Sequence, residues 1–342
     1  MVRWRAWPAA LFLLGLLGLL AWLSLSQGYL DFAPSEIWTA VRDLLSGREL
    51  TSRGLVIAEV RLPRLVTASL AGAALGLSGA VFQGLLLNPL ADPYTLGVSS
   101  GAALGAAAVI TLSLAGWPGL AHPLMPAAGA FAGSILTLAA VMALAREKDG
   151  SLPPANLILA GVIVSAILSA GLSFLKYLAG DQVSSLIFWL LGSFLARTWT
   201  EAGIVALFLG PALAVSLFRA LDLNIMTLGL REARTLGVAA VRVRRELLIA
   251  ASLAASAAVA VAGIIGFVGL IVPHLLRLLI GPDHRILLPL SALGGAVLLA
   301  AADWAVRILL PGEIPVGVLT ALLAGPVFLV IFRRRMRDLA RG

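Results

Sequence analysis

Eight stretches of this chain contain no aspartate, glutamate, lysine or arginine, and they are long: 6–30, 65–91, 93–145, 150–175, 202–218, 247–276, 286–302 and 314–332. A helix needs roughly 20 apolar residues to cross the hydrocarbon core of a bilayer. Most of the stretches hold one such helix. The stretch 93–145 holds two, broken by the turn signal Gly116-Trp117-Pro118-Gly119. The stretch 247–276 outlasts one crossing and is interrupted at Gly263, Gly266 and Pro273. The expected fold is therefore an all-α polytopic membrane protein with ten spans: 9–25, 65–84, 96–115, 124–145, 155–175, 201–219, 247–264, 267–280, 286–306 and 315–332. Residues 182–196 are too few to cross. Residues 1–342 form a single transmembrane domain in this reading. The first span is expected to stay in place, since its apolar run exceeds a signal-peptide core and no A-x-A site follows.

Orientation follows from the arginines, because the only lysines are Lys148 and Lys176. Arg219, Arg231, Arg234, Arg242, Arg244 and Arg245 lie between spans six and seven, and the tail carries Arg333, Arg334, Arg335, Arg337 and Arg341. The positive-inside bias places both segments in the cytoplasm. An even number of crossings puts the N-terminus there as well, with Arg3 and Arg5, and sends residues 26–60 outside. That outer loop contains PSEIWTAVRDLLSG, whose Ile37, Trp38, Val41, Leu44 and Leu45 recur at helical spacing, an amphipathic surface helix. The net charge of +8 is a topology signal, and no nucleic-acid partner is expected from it.

Residues 61–71, RLPRLVTASLA, break the pattern. Arg61 and Arg64 sit on the outer side, where basic residues are disfavoured, and at a helix N-terminus that is already partially positive. Pro63 suits the first turn, and a spacing of three lets both side chains share one face toward external water. Snorkelling to lipid headgroups is one account. An anionic partner arriving from outside is the other, and the expectation adopted here.

The run RLPRLVTASLAGAALGLSGAVFQGLLLNPLADPYTLGVSSGAALG, followed by LILAGV, FWLLGSF, LGV at 236–238, GFVGLIVPHLLRLLIGPDHRILLP and EIPVGVLTALLAGPVFL, resembles the permease subunit of bacterial ABC importers for iron-siderophore complexes, haem and vitamin B12. The resemblance covers nearly the whole chain. It implies ten helices per subunit, a homodimer with a pathway on its two-fold axis, two cytoplasmic ATPase subunits that bind ATP and Mg, and a substrate-binding protein docking outside. The location would be the inner membrane. It also implies docking roles for Arg61 and Arg64, with Arg307 as a third arginine at the outer end of the ninth span.

No lysine lies in a G-x-x-x-x-G-K-[ST] phosphate loop, so the chain is expected to bind no cofactor and hydrolyse no ATP itself. Ion-coupled carriers bury carboxylates or histidines mid-membrane. Here Asp303 lies toward a span end, and His274 and Arg277 fall in the short eighth span. A secondary transporter and an intramembrane enzyme are the rival classes, and the sequence shows no convergent nucleophile, metal set or acid pair for the latter. His122, His274 and His284 are too scattered for a metal site, there is no cysteine, and GPDHR reads as a structural cytoplasmic turn.

The engine would attach within 220–246, where LNIMTLGLREARTLGVAAVRVRRE reads as two short helices hinged near Gly237. By resemblance this is the coupling segment, with Gly229, Glu232, Arg234, Leu236, Gly237 and Val238 at the contact. The chain departs from the family pattern after Gly229, where Leu230 and Arg231 replace an acidic pair. A solvated basic loop is the plainer account of the same residues. The fifth span presents Gly161, Ser165, Ser169 and Ser173, small residues that by resemblance line the pathway beside the dimer mate. By the same resemblance the inner gate would fall at Ser151 to Asn156, with Pro154, Ala155 and Asn156 as its candidates. Gly72, Gly76, Gly79 and Gly101 are assigned to close helix packing.

Overall fold

The computed structural model describes residues 2–309 and 314–326, and every regular element among them is helical. In chain order these are α1 (Val2–Ser26), α2 (Pro34–Leu45), α3 (Ser52–Leu55), which continues through a π-helical stretch, Val56–Arg61, into α4 (Leu62–Leu85), then α5 (Val98–Leu114), α6 (Met125–Ala145) and α7 (Pro154–Ala179); the expected helix N-terminus at Arg61 and Arg64 is thereby corrected to Ser52. There follow α8 (Val183–Leu190), α9 (Trp199–Phe218), α10 (Ala220–Met226), α11 (Leu230–Thr235), α12 (Ala240–Ala262), α13 (Val268–Ile280) and α14 (His284–Leu309). The last is α15 (Val316–Pro326). Among the described residues seven helical segments are long and apolar enough to cross a membrane, while α5, α13 and α15 are shorter apolar helices. Each of the ten expected spans falls on one of these segments. The thirteen residues of α13 rise only about 20 Å, less than the roughly 30 Å hydrocarbon core. The tail arginines and residues 327–332 of the tenth expected span lie outside the described residues.

The break in the 247–276 stretch lies at residues 263–267. Helix α12 stops at Gly263, φ +75°, and Pro273 sits inside α13 instead of ending a helix. Gly263 is pressed against the α8 end, where a methyl group would fall 2.4 Å from the Trp189 carbonyl oxygen. The short α8, too short to cross, is thereby tied to the end of α12.

Helix α4 is the hub, buried along most of its length and packed against α9, α12, α13 and α14. Its small residues make that possible. A methyl group at Gly72 would lie 2.1 Å from the Gly295 carbonyl oxygen, one at Gly76 2.1 Å from that of Ser291, and one at Gly79 1.8 Å from that of Gly269. Backbones at such separations exclude any side chain. A second glycine seam joins α5 to α6, where Gly101 and Gly105 oppose Gly133 and Gly129. The packing role assigned to Gly72, Gly76, Gly79 and Gly101 is what the structure shows.

The ends of the bundle sort the connecting segments into two groups. At one end the residues following α1, the segment 51–61, the start of α4 and the end of α14 meet, joined by Arg61, Arg64, Asp303 and Arg307. At the other, the 146–153 loop, α10, α11, the start of α12 and the α13–α14 junction meet. The groups are those the arginine pattern divides into outer and cytoplasmic. The expected surface helix is α2, which buries Ile37 and Ala40 and exposes Trp38 and Leu45.

Candidate functional site

At the end where α1 finishes and α14 ends, three arginines converge on an open cleft of about 880 Å³ that also includes Gly28, Leu30, Asp31 and Ile308. The expectation that Arg61 and Arg64 reach toward water is corrected: they are only 6% and 7% exposed. Arg61 folds back beneath the end of α1. Its Nη1 donates to the Leu25 carbonyl at 2.6 Å and its Nη2 to the Leu30 carbonyl. The guanidinium stacks 4.5 Å from the centroid of Phe32. Gly28 leaves the room, since a methyl there would fall 2.7 Å from Arg61 Nη2. Arg64 is clasped by Asp303, with Nε 3.0 and 3.1 Å from the two carboxylate oxygens and Nη2 2.9 Å from Oδ1. Arg307, one turn beyond Asp303, donates to the Ser24 carbonyl at 3.4 Å and to the Ser24 hydroxyl, with Nε 3.6 Å from Asp303.

These contacts explain why cations are tolerated where two electrostatic rules oppose them. Arg61 and Arg307 serve carbonyl oxygens at the C-terminal end of α1, the negative pole of that helix. Arg64 is neutralised by a carboxylate from α14. Neither Arg61 nor Arg64 lies at a helix N-terminus, because the helix that carries them begins at Ser52, and each is satisfied by a neighbouring helix.

At the opposite end of the bundle, α10 and α11 are the two short helices expected, but the hinge is corrected. Gly229, φ +132°, separates them, whereas Gly237, φ +81°, ends α11 before α12. Gly237 occupies the left-handed position of a Schellman cap: Gly237 N–H donates to Arg234 O at 3.0 Å and Val238 N–H to Ala233 O at 2.9 Å. Ala233 and Val238 are buried together in the core, so Val238 faces inward and not toward a partner. Glu232, Arg234 and Leu236 are exposed. Glu232 folds over Gly229, where a methyl group would fall 2.0 Å from its Oε2. Arg234 reaches Asp149 at 4.0 Å, and buried Arg244 donates to the Leu152 carbonyl at 2.8 Å, so the 146–153 loop rests on this segment.

The turn at GPDHR is more than a connector. Asn224 of α10 donates to Asp283 Oδ1 at 2.7 Å and accepts from the His284 backbone N–H at 2.9 Å. Arg285, against some burial and with help from Asn224, holds the Asp283 carboxyl down at about 2.

Along α7 the four expected path residues divide. Gly161 and Ser165 face the protein interior: a methyl at Gly161 would fall 2.5 Å from the Thr95 carbonyl oxygen, and Ser165 Oγ lies against Gly97. They are removed from the open face by that packing. Ser169 and Ser173 stay exposed, beside Leu159, Val162, Ile163, Ile167 and Phe174. Pro154 opens the helix, Ala155 is exposed, and Asn156 donates to Glu147 at 3.2 Å. Sequence reasoning missed Ser24, Phe32, Asn224 and the pairing of Asp303. Only Asp303 carried a signal, as the single carboxylate of its helix, four residues before Arg307.

Residues 16–334 match the model of the FecCD transport family. The chain belongs to that family. It is 45% identical over 290 residues to an ABC transporter permease protein of Bacillus subtilis, covering 82% of this chain and 80% of that one. It is 40% identical over 328 residues to the hemin transport system permease protein of Yersinia pestis, covering 95% of each. To the vitamin B12 import system permease protein of Salmonella typhi it is 39% identical over 338 residues, covering 98% and 96%. A solved inward-facing structure of a metal-chelate type ABC transporter superposes with a TM-score of 0.82 at 33% identity, covering 96% of this chain and 99% of that one. The FecCD chain described here is thus an ABC-importer permease, a multi-span membrane component.

Proposed function

We propose that this permease carries an iron chelate, haem or a siderophore complex, across the inner membrane for a binding-protein-dependent importer whose separate ATPase subunits bind Mg and ATP. The observation that carries the reading is the match along 95% of the chain to a hemin permease, beside a metal-chelate type neighbour of the same fold. Cobalamin is the second reading, favoured by the equally complete match to a vitamin B12 permease. Ten crossings with both termini in the cytoplasm fit the two groups of connecting segments. A second copy of the chain would cover the exposed apolar face of α7, placing Ser169 and Ser173 beside the axis. The binding protein would bring carboxylates to the outer cleft of Arg61, Arg64 and Arg307. The exposed Glu232, Arg234, Leu236 and Gly237 would meet the ATPase, with Gly229 and Val238 shaping the turn behind them.

An ion-coupled mechanism has little to work with among the described residues of the long helices. Glu201 accepts from Thr198 in a capping box, Glu246 pairs with Arg219 and Arg242 near the start of α12, and Asp303 holds Arg64. Each is engaged near a helix end. The test is uptake into proteoliposomes containing the permease and its cognate ATPase, with haemin, a ferric siderophore and cyanocobalamin each supplied on the cognate binding protein. ATP-dependent uptake of an iron chelate is the expected result. Uptake of cyanocobalamin alone selects the second reading, and uptake that follows an ion gradient without ATP overturns both.

A further inference from the structure

Helices α10 and α11 have seven and six residues, too few to hold a helix by themselves. Two glycines with positive φ, Gly229 and Gly237, interrupt the path to α12. What orients this segment must therefore be tertiary. The Arg234–Asp149 contact is long, at 4.0 Å, and exposed on both sides, a kind of pair that contributes little. The contact at Asn224 is of another kind. Its side-chain oxygen accepts from the His284 backbone N–H at 2.9 Å, which fixes the orientation of the amide. The same oxygen lies 2.7 Å from His284 Nδ1, so that nitrogen carries a proton. The amide nitrogen donates to Asp283 Oδ1 at 2.7 Å. The His284 ring is wedged on its far side against α4, where a methyl group at Gly84 would fall 2.7 Å from Nε2. Leu223, fully buried, fills the gap beside it.

From this geometry we infer that Asn224 is a positioning residue for ATPase coupling, locking α10 to the α13–α14 junction. The inference rests on the proposed importer function. Helix α14 runs from this lock to Asp303 at the arginine cluster, a rise of about 29 Å. It is pressed backbone to backbone on α4 at Gly72 and Gly76. A rigid-body tilt of the α4–α14 pair therefore carries α10, and with it the exposed face of α11. Without the lock, α10 keeps its buried Ala220, Leu223 and Met226 and the Arg219–Glu246 pair at its start but loses its polar tie to the α13–α14 junction.

The test uses the full chain with its co-purified cognate ATPase in lipid nanodiscs. Asn224→Ala should speed hydrogen exchange at 220–236 and 281–285 while leaving the α5–α6 seam unchanged. It should weaken ATPase binding about tenfold, the scale of losing a small set of hydrogen bonds. Asn224→Asp keeps the acceptor but sets two carboxylates together, and should be at least as weak. Exchanging the pair, Asn224→Asp with Asp283→Asn, returns a donor and an acceptor to the same gap and should restore affinity to within about threefold, a modest residual loss for one hydrogen bond. That rescue is what a purely structural role for residue 224 alone would not give, and the two polar variants carry the test if the alanine misfolds. Wild-type affinity in Asn224→Ala or Asn224→Asp, or an exchanged pair no better than Asn224→Asp, overturns the inference. A wild-type chain that binds no ATPase overturns the importer reading instead.

Discussion

Replacing Asp303 with asparagine removes a carboxylate that both Arg64 and Arg307 reach while keeping its shape. Asp303 is 1% exposed and Arg64 7%, and three nitrogen-to-oxygen distances between them lie at 2.9–3.1 Å. Breaking a buried pair by deleting one partner costs about 3–5 kcal/mol, because the remaining charge keeps its desolvation without its counter-charge. Asparagine still offers one oxygen to Arg64, which puts the expectation at the lower end, about 3 kcal/mol. Arg307, at 3.6 Å from the same carboxylate, adds like-charge repulsion once the carboxylate is gone. The assay is reversible unfolding of the purified permease by dodecyl sulfate in mixed micelles, run as a double-mutant cycle with Arg64→Leu. The leucine pair, Arg64→Leu with Asp303→Leu, should recover most of the loss, since apolar residues replace a buried pair at little cost. A loss under about 1 kcal/mol for Asp303→Asn, typical of exposed pairs, would refute the buried-pair account.

Two other perturbations test the packing and the pathway. Gly76→Leu places carbon atoms where the Ser291 carbonyl oxygen already lies, 2.1 Å from the first of them. No rotamer relieves a backbone clash, so the variant should lose its folded, monodisperse form in size-exclusion chromatography, whereas Gly210→Leu, with nothing within 4 Å, should keep it. In this cysteine-free chain, Ser169→Cys should react with a water-soluble thiol reagent in at least one nucleotide state of the assembled importer, while Ser165→Cys, packed against Gly97, should resist. A Ser169→Cys site that is never labelled would remove α7 from the pathway.

The positions of the helices were legible because the bilayer sets a length, and a run of uncharged residues of that length has few other uses. The glycine seams were legible for a related reason: lipid-facing surfaces do not need glycine, so Gly72, Gly76 and Gly79 imply a close neighbour. The coupling hinge was misplaced because Gly229 and Gly237 both have positive φ, and nothing in the local sequence says which one bends the chain and which one caps a helix. That depends on Val238 finding the core and on Glu232 covering Gly229, both of which are tertiary facts.

The arginines at 61 and 64 mark the limit of one-dimensional electrostatics. A rule written for a single helix weighs each charge against its own dipole and its own side of the membrane, and by that rule both residues are misplaced. Once α1 and α14 are set beside this helix, which starts at Ser52 so that Arg61 and Arg64 lie well inside it, the two guanidinium groups meet the carbonyl end of α1 and the Asp303 carboxylate, and the anomaly becomes satisfied contacts. The consequence bears on docking. A binding protein that offers carboxylates here does not meet free cations on a rim; it competes with Leu25, Leu30, Ser24 and Asp303 for guanidinium groups already engaged. Competition of that kind would make the proposed docking and the internal ties of α1 and α14 one coupled equilibrium, in which whatever the partner gained at Arg64 would be set against the hold on Asp303.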